Sequence, residues 1–194
     1  MPQSQTIPVD GNDNVLMTYS PTGVAIPTFT VGNPATTGVY LAAVADVVGT
    51  VASNNYIVLF NPISNTKTVS FIGNLVDLYA FSVVNSGSSL NVYRITSVSG
   101  GTQLAANQMN RFATAMTDPV GQVFIGNPTV TLLNGGVILG SFAPPIGSSG
   151  ANQGLVGAIG GAGFTLKPGE GLVYQQLVGN TGQRTNIEIV WTEP

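Results

Sequence analysis

The sequence predicts an all-β fold, an antiparallel sandwich or jelly roll. Apolar segments rich in Val, Ile, Tyr, Phe and Thr recur along the chain, as expected for strands that form a pleated, half-buried surface. Asn-Pro, Asn-Gly, Ser-Gly and Pro-Gly steps separate these segments at fairly regular spacing, which indicates about eight short strands. No repeat of about 20 to 50 residues is evident, so propellers and solenoids are not expected.

The composition excludes several kinds of chemistry. The 194 residues suit one domain, or one domain with an arm, and only 7% of them are charged, where roughly 25% is typical. Neutral polar residues and glycine must therefore cover the surface, which fits either an ordinary neutral β-protein or a surface that lies against other subunits. The absence of cysteine and histidine removes disulfides, thiol catalysis, histidine-dependent triads and ordinary zinc sites.

Charge and hydropathy also limit the partners. Lys and Arg number 5 against 8 Asp and Glu, scattered along the chain, so no phosphate-binding surface and no nucleic-acid partner are expected. The most apolar window, Val39–Ala52, is shorter than the about 20 residues that a membrane-spanning helix needs. The stretch MPQSQTIPVD has neither the basic nor the apolar region of a secretory signal, and none is expected. No cofactor is predicted.

Residues 1–38 are predicted to form an extended N-terminal arm. Their prolines forbid a long helix and discourage a central strand, so one or two short strands at most are expected. The arm is either a floppy terminus or a segment docked on a neighbouring subunit, and its hydrophobic side chains favour docking. The arm residues predicted to contact a partner are Ile7, Val9, Val15, Leu16, Ile26 and Phe29.

Residues 39–194 are predicted to form the β-sandwich domain. Gly38–Ala52 contains enough Ala for a helix, but its Val content and its β-rich surroundings favour a strand. Three further apolar segments, Tyr56–Phe60, Thr68–Val84 and Leu90–Val98, follow. The third alternates apolar and polar residues, which predicts one buried face.

That buried face is predicted to carry Leu90, Val92 and Ile95. The next segment, Gln103–Met116, is the best helical candidate, although a long loop is an equal alternative. Asn127-Pro128 then opens a predicted β-hairpin, in which Asn134-Gly135 forms a type I′ turn because both central residues need positive φ. Val130 and Leu132 before the turn, and Val137 and Leu139 after it, make a buried face plausible.

A Gly-rich loop is predicted near residues 147–163. It is either mobile or packed on a partner subunit, because an apolar loop in water is a liability. Its predicted contact residues are Leu155, Val156 and Ile159.

The end of the chain is predicted to be regular. Lys167-Pro168-Gly169-Glu170 suits a type II turn. A strand over Leu172–Val178, a turn at Asn180-Thr181-Gly182 and a final strand with Ile187, Ile189 and Trp191 on one face follow, so the C-terminus is expected to lie in the sheet.

The carboxylates offer little catalytic potential. Asp77 lies within an apolar strand, and the preferred interpretation is a core acid paired with Arg94 or Arg111. Glu170 is expected in a turn and Glu188 on a solvated strand face, where acids keep a sheet edge soluble. The DGND stretch resembles a fragment of a calcium loop, but its spacing and the distant glutamate are missing, and no metal site is predicted. An enzyme is therefore not expected.

The aromatic side chains have two interpretations. They either line a sugar-binding face or pack within the core, and their alternating positions on strands favour packing. They are Tyr56, Tyr79, Tyr93, Tyr174 and Trp191.

Three stretches resemble a known family. LFNPISNTKTVSF (59–71), LNVYRITSVSGGT (90–102) and FTLKPGEGLVYQQL (164–177) resemble turn-and-strand motifs of the small β-rich virion proteins of tailed bacteriophages. The resemblance implies a jelly-roll-like β-sandwich made in the host cytoplasm and placed on the outer capsid surface. It is most similar to capsid decoration (cement) proteins, which bind the major capsid protein, often as trimers. The alternative is a tail or fibre component that binds a host receptor or glycan.

Overall fold

The computed structural model describes residues 18–19, 25–26, 38–50, 52–80, 89–111, 117–142, 152–155 and 164–193. The chain divides into two compact units, Met1–Thr37 and Gly38–Pro194. In the first unit, strands β1 (Thr18–Tyr19) and β2 (Ala25–Ile26) pair antiparallel.

The described part of the second unit is all β apart from two single turns of 3-10 helix, at Ala106–Gln108 and Leu133–Gly135. Its strands are β3 (Gly38–Gly49), β4 (Asn54–Phe60), β5 (Val69–Ala80), β6 (Leu90–Ser99), β7 (Thr102–Gln103), β8 (Asn110–Arg111), β9 (Gln122–Ile125), β10 (Thr129–Leu132), β11 (Ile138–Phe142), β12 (Asn152–Leu155), β13 (Phe164–Leu166), β14 (Gly171–Gln176) and β15 (Asn180–Glu193).

These strands form two antiparallel sheets arranged as a sandwich, which confirms the predicted fold class. The six-stranded sheet has the order β12-β5-β15-β3-β8, and β13 also pairs with β5. The seven-stranded sheet has the order β10-β6-β14-β4-β9-β7, and β11 also pairs with β6. Buried side chains from both sheets form the main hydrophobic cluster, in which Trp191 stacks on Tyr40 with ring centroids 5.7 Å apart.

The pairing of the strands is nested along the chain. The first long strand pairs with the last (β3 with β15), and the next pairs with the one before the last (β4 with β14). Inside these pairs, β5 pairs with β12 and β13, and β6 pairs with β10 and β11. The long strands therefore pair in the same order as the two strands of one long hairpin. Successive pairs of this hairpin alternate between the six-stranded and the seven-stranded sheet.

Several predicted elements are confirmed. The run that begins at Gly38 is strand β3, and the final strand β15 lies between β3 and β5. Ile187, Ile189 and Trp191 are all buried on one face of β15. Gly169 has φ 83°, and the amide of Glu170 donates to the carbonyl of Lys167 at 2.9 Å, as a type II turn requires.

The predicted hairpin around Asn134-Gly135 is wrong. Asn134 and Gly135 do have positive φ, of 51° and 71°. However, β10 and β11 both pair antiparallel with β6, one after the other along its length, instead of pairing with each other. The Asn-Gly turn interrupts one edge strand, because β6 offers ladder partners to both halves.

Two further expectations are corrected. Ile95 does not share a face with Leu90 and Val92, because residues an odd number apart on a strand point in opposite directions. Ile95 belongs to a second cluster with Val58, Tyr93 and Val173, so β6 buries apolar residues on both faces. In the described part of the helical candidate Gln103–Met116, residues 103–111, one 3-10 turn lies between short strands, and residues 112–116 lie outside the described part.

Candidate functional site

Polar side chains occupy part of the interior between the two sheets. The register between β4 and β14 shifts at Tyr56, which lets both Tyr56 and Ile57 join the main cluster. The Tyr56 hydroxyl donates a hydrogen bond to Oε1 of the buried Gln176. Burial raises the pKa of the Tyr56 phenol, and a hydrogen bond with Thr185 partly opposes this rise.

Two polar groups of this interior lack hydrogen-bond partners among the described residues. The Tyr174 hydroxyl and Nε2 of Gln176 are fully buried and make no hydrogen bond. Burial alone raises the pKa of the Tyr174 phenol far above its usual value. Both phenols are therefore protonated near neutral pH, and this interior supplies neither a general base nor a nucleophile there.

A buried carboxylate anchors the end of β15. Oε1 of Glu193 accepts hydrogen bonds from Nε1 of Trp191 and from the amide of Gly121, both at 2.8 Å. Oε2 accepts the amide of Val120 at 2.7 Å. Three N–H donors thus hold this carboxylate, which fastens the loop before β9 to the last strand and has a structural role.

Several other charged side chains that the structure describes lie in separate pairs. Arg94 lies 3.9 Å from Glu170 on the seven-stranded sheet, and Arg184 pairs with Asp46 on the six-stranded sheet. Asp77 is half-buried and accepts a hydrogen bond from the Asn186 amide at 3.2 Å. The expected core pairing of Asp77 with Arg94 is therefore wrong, since Asp77 points away from its buried neighbours Val76 and Leu78.

The side chain of Arg111, the other predicted partner of Asp77, lies outside the described set. Asp77 and Glu188 are diagonal neighbours on the outer face of the six-stranded sheet, because Asp77 pairs with Asn186 and Leu75 pairs with Glu188. Among the described residues, no three Asp, Glu, His or Cys side chains are grouped closely enough to hold a metal ion.

The predicted aromatic face is not available to a ligand. Tyr56, Tyr93, Tyr174 and Trp191 are all buried, as the packing interpretation requires. The side chain of Tyr79 lies outside the described set.

Three surface depressions in the described part of the chain border strand β3. One of about 240 Å³ lies between Leu41–Ala43 and the 3-10 turn that ends near Met109. A second, of about 250 Å³, lies on the outer face beside Ala45, Leu75 and Glu188. A third, of about 300 Å³, opens between the sheets and is lined by Val44, Val47, Tyr56 and Ile125 among others. All three border the same strand, although its sequence alone gave no sign of a binding surface.

Large hydrophobic side chains are also exposed on the described surface. Ile63, in the loop after β4, is 85% exposed, and Ile72 and Leu75 on β5 are 48% and 42% exposed. Such side chains favour contact with another molecule when they lie together on a neutral face.

Most of the predicted partner-contact residues fall outside the described part of the chain. Ile26 lies on β2 and Leu155 on β12, the strand that pairs with β5 inside the predicted Gly-rich loop. The others are Ile7, Val9, Val15, Leu16, Phe29, Val156 and Ile159. The predicted contact set therefore stays a prediction.

The fold and the site define an antiparallel β-sandwich with a neutral, partly unsatisfied polar interior. Comparison with models of known protein families, with curated proteins and with solved structures found no match. In the described residues, no helix has the length and apolar character needed to cross a membrane.

Proposed function

We propose that the protein is a non-enzymatic structural component of a bacteriophage virion, and specifically a capsid decoration protein that binds the major capsid protein lattice. The observation that carries the proposal is the surface: only 7% of residues are charged, and Ile63, Ile72 and Leu75 are exposed on it. Such a surface loses little charge solvation when it is covered by neighbouring subunits.

The nested strand pairing supports the same proposal. A long hairpin whose arms are divided between two facing sheets is the arrangement of a jelly roll, and jelly rolls are frequent among viral capsid domains. The pairs β3–β15 and β4–β14 would be the outer pairs of such a roll. One fold can serve many functions, so the proposed function is inferred from the surface and not from the topology.

The mechanism of a decoration protein is mass action. A protein that binds the assembled lattice and not the free subunits stabilises the lattice by its binding free energy. In the proposed assembly, residues 1–38 lie on an adjacent subunit, where an extended segment adds a strand to an open sheet edge. A trimer fits a three-fold position on the lattice.

The test is co-sedimentation of the purified protein with undecorated heads of the phage that encodes it. Deletion of residues 1–30 is expected to leave the second unit folded, with an unchanged urea midpoint, but to abolish binding to the heads. Val137→Ser in the full chain, at a side chain that is 63% exposed and lies outside the proposed surface, controls for general loss of surface hydrophobicity. Binding that survives the deletion would refute the role of the arm.

Other results would replace the proposal. Failure of the full chain to bind heads, together with binding to a glycan array, would make it a tail or fibre component, since jelly rolls also occur as lectin domains. Light scattering of the free protein checks the expected trimer.

A further inference from the structure

Among the described residues, one edge of the six-stranded sheet has no paired strand over most of its length. Strand β3 pairs with β15 along one side, from Gly38 to Gly49. On the other side it pairs with β8 only at Tyr40 and Leu41. Beyond Leu41, no strand of the described residues pairs with this side of β3. We call residues 42–45 the β3 edge.

The β3 edge is a regular strand segment that ends at a β-bulge. Val44 pairs with Ile187 and Val47 with Thr185, so the register shifts between them, and Asp46 has φ 58°. The amide of Asp46 is directed to Oδ1 of Asn186 at 2.6 Å. A bulge of this kind turns a strand away from its line, so the four residues before it, spanning about 13 Å, form the pairing surface.

An extended backbone fits this surface better than any other ligand. At a strand edge, the N–H and C=O groups of alternate residues point outward. Their spacing matches the C=O and N–H groups of another strand, which can therefore pair with them. Ala43 and Ala45 are exposed there, and their small side chains leave the backbone accessible. A strand added here would continue the line begun by β8, which already pairs with Leu41.

Depressions on both sides of the edge suit the alternating side chains of an added strand. On the inner side, the cavity of about 300 Å³ is lined by Val44, Val47 and Ile125 and would take aliphatic side chains. On the outer side, the depression of about 250 Å³ includes the carboxylates of Asp77 and Glu188. Successive residues of a strand point to opposite faces. The inner and the outer depression would therefore contact alternate side chains of the added strand.

We propose that the β3 edge binds an extended segment of a partner chain, with aliphatic residues at alternate positions and a lysine or arginine that lies over Ala43 and faces Glu188, which pairs with Ala43. Main-chain pairing would supply affinity, and the two depressions would supply selectivity. Such a segment can pair here whether or not the protein belongs to a virion, so this interface stands apart from the function proposed above.

The charges favour a basic segment over a second copy of this chain. Asp77 and Glu188 add two carboxylates to the outer face, while Arg184 on the same strand as Glu188 already pairs with Asp46. A symmetric pairing of two β3 edges would bring a second Asp77 and a second Glu188 to this face, whereas Arg184 of each copy already has Asp46 as a partner. A lysine or arginine from a different chain would supply the missing charge.

The experiment titrates the isotopically labelled full chain with a short blocked peptide in which valine alternates with threonine and one central lysine. Backbone NMR is expected to show shifts at residues 42–45 and slower hydrogen exchange there. A matched peptide with glutamate in place of lysine is expected to bind about threefold to fivefold more weakly, the ratio expected for one exposed ion pair. The double variant D77N/E188Q, which keeps both side-chain shapes, should abolish this preference.

Three outcomes would overturn the proposal. The first is no shift at residues 42–45 with the lysine peptide up to its solubility limit. The second is equal affinity for the lysine and glutamate peptides, or a preference for lysine that persists in D77N/E188Q. Either result would show that the carboxylates do not select a basic side chain of the partner. The third is a shift at the same amides with protein concentration alone, which would assign the edge to a second copy.

Discussion

The hydroxyl of Tyr174 is expected to destabilise the protein. This group is fully buried in the sandwich interior and makes no hydrogen bond. A buried hydroxyl without a partner loses its hydrogen bonds to water, at a cost of about 1–3 kcal/mol. Tyr174→Phe removes that group and leaves the ring in place, so the free energy of unfolding should rise by about 1 kcal/mol.

Tyr56→Phe is the matched comparison, because its hydroxyl has a partner. That hydroxyl donates to Oε1 of Gln176, whose Nε2 is already unpaired. Its removal leaves the whole buried amide of Gln176 without a hydrogen bond from either atom in the described interior. The free energy of unfolding should fall by about 2 kcal/mol, the sum of a lost hydrogen bond and an orphaned acceptor. The same atomic change should thus have opposite signs at the two tyrosines.

Urea unfolding followed by tryptophan fluorescence measures both variants. Trp191 is the single tryptophan and is fully buried, so its emission reports the whole core. The comparison is valid when both variants keep the wild-type dependence on urea concentration. A loss of stability in Tyr174→Phe would refute the reasoning, because it would show that the hydroxyl has a partner.

Other predictions concern the backbone, the carboxylate anchor and pH. Gly171→Ala should lower the free energy of unfolding by about 2 kcal/mol, since an added Cβ would lie 2.6 Å from the Leu59 carbonyl oxygen. Gly73→Ala, where a Cβ meets nothing within 4 Å, should raise it by about 0.5 kcal/mol; similar urea midpoints for both would contradict this. Glu193→Gln should cost about 2 kcal/mol because its amide nitrogen faces an N–H donor, and a thermal melt that matches wild type would argue against the anchor. Both buried tyrosines have a raised pKa in the folded state, so their stabilisation is complete below about pH 10 and falls by about 1.4 kcal/mol per pH unit for each tyrosine as pH rises further. Urea titrations across that range check it, and Tyr174→Phe should show a smaller slope.

The strands of the core were predictable because local and global preferences agree there. The Val-rich run at β3 and the alternating β15 read as strands, and Gly169 stands where a type II turn needs positive φ. Each of these features depends on residues close in sequence. A short window of sequence therefore contains the information that determines them.

The hairpin prediction was wrong for a non-local reason. Asn134 and Gly135 adopt the expected positive φ. The pairing of β10 and β11 is decided instead by β6, whose residues pair with partners about 30 to 50 positions later in the chain along its whole edge. The residues of a turn determine a local bend of the chain, but they do not determine which strands pair with each other.

The candidate surface was predictable only in its general character. Low charge indicated a neutral surface, yet the predicted contact residues came from the arm and the Gly-rich loop. The β3 edge depends on the sheet order, which places β3 beside a two-residue strand. Similarly, Asp77 was misplaced because its partner Asn186 lies on a strand that is distant in sequence.

The position of β15 has a consequence for biosynthesis. Strand β15 follows the other described strands in the chain and fills the place between β5 and β3, and Glu193 pairs with Gly38 across almost the full domain. A nascent chain that lacks β15 holds two long strands with an unfilled gap between them, and exposes the apolar side chains that Trp191 would cover. Contacts of such large sequence separation form slowly. The sandwich is therefore completed only after β15 has been synthesised, and until then the gap is open to chaperones or to strands of other nascent chains.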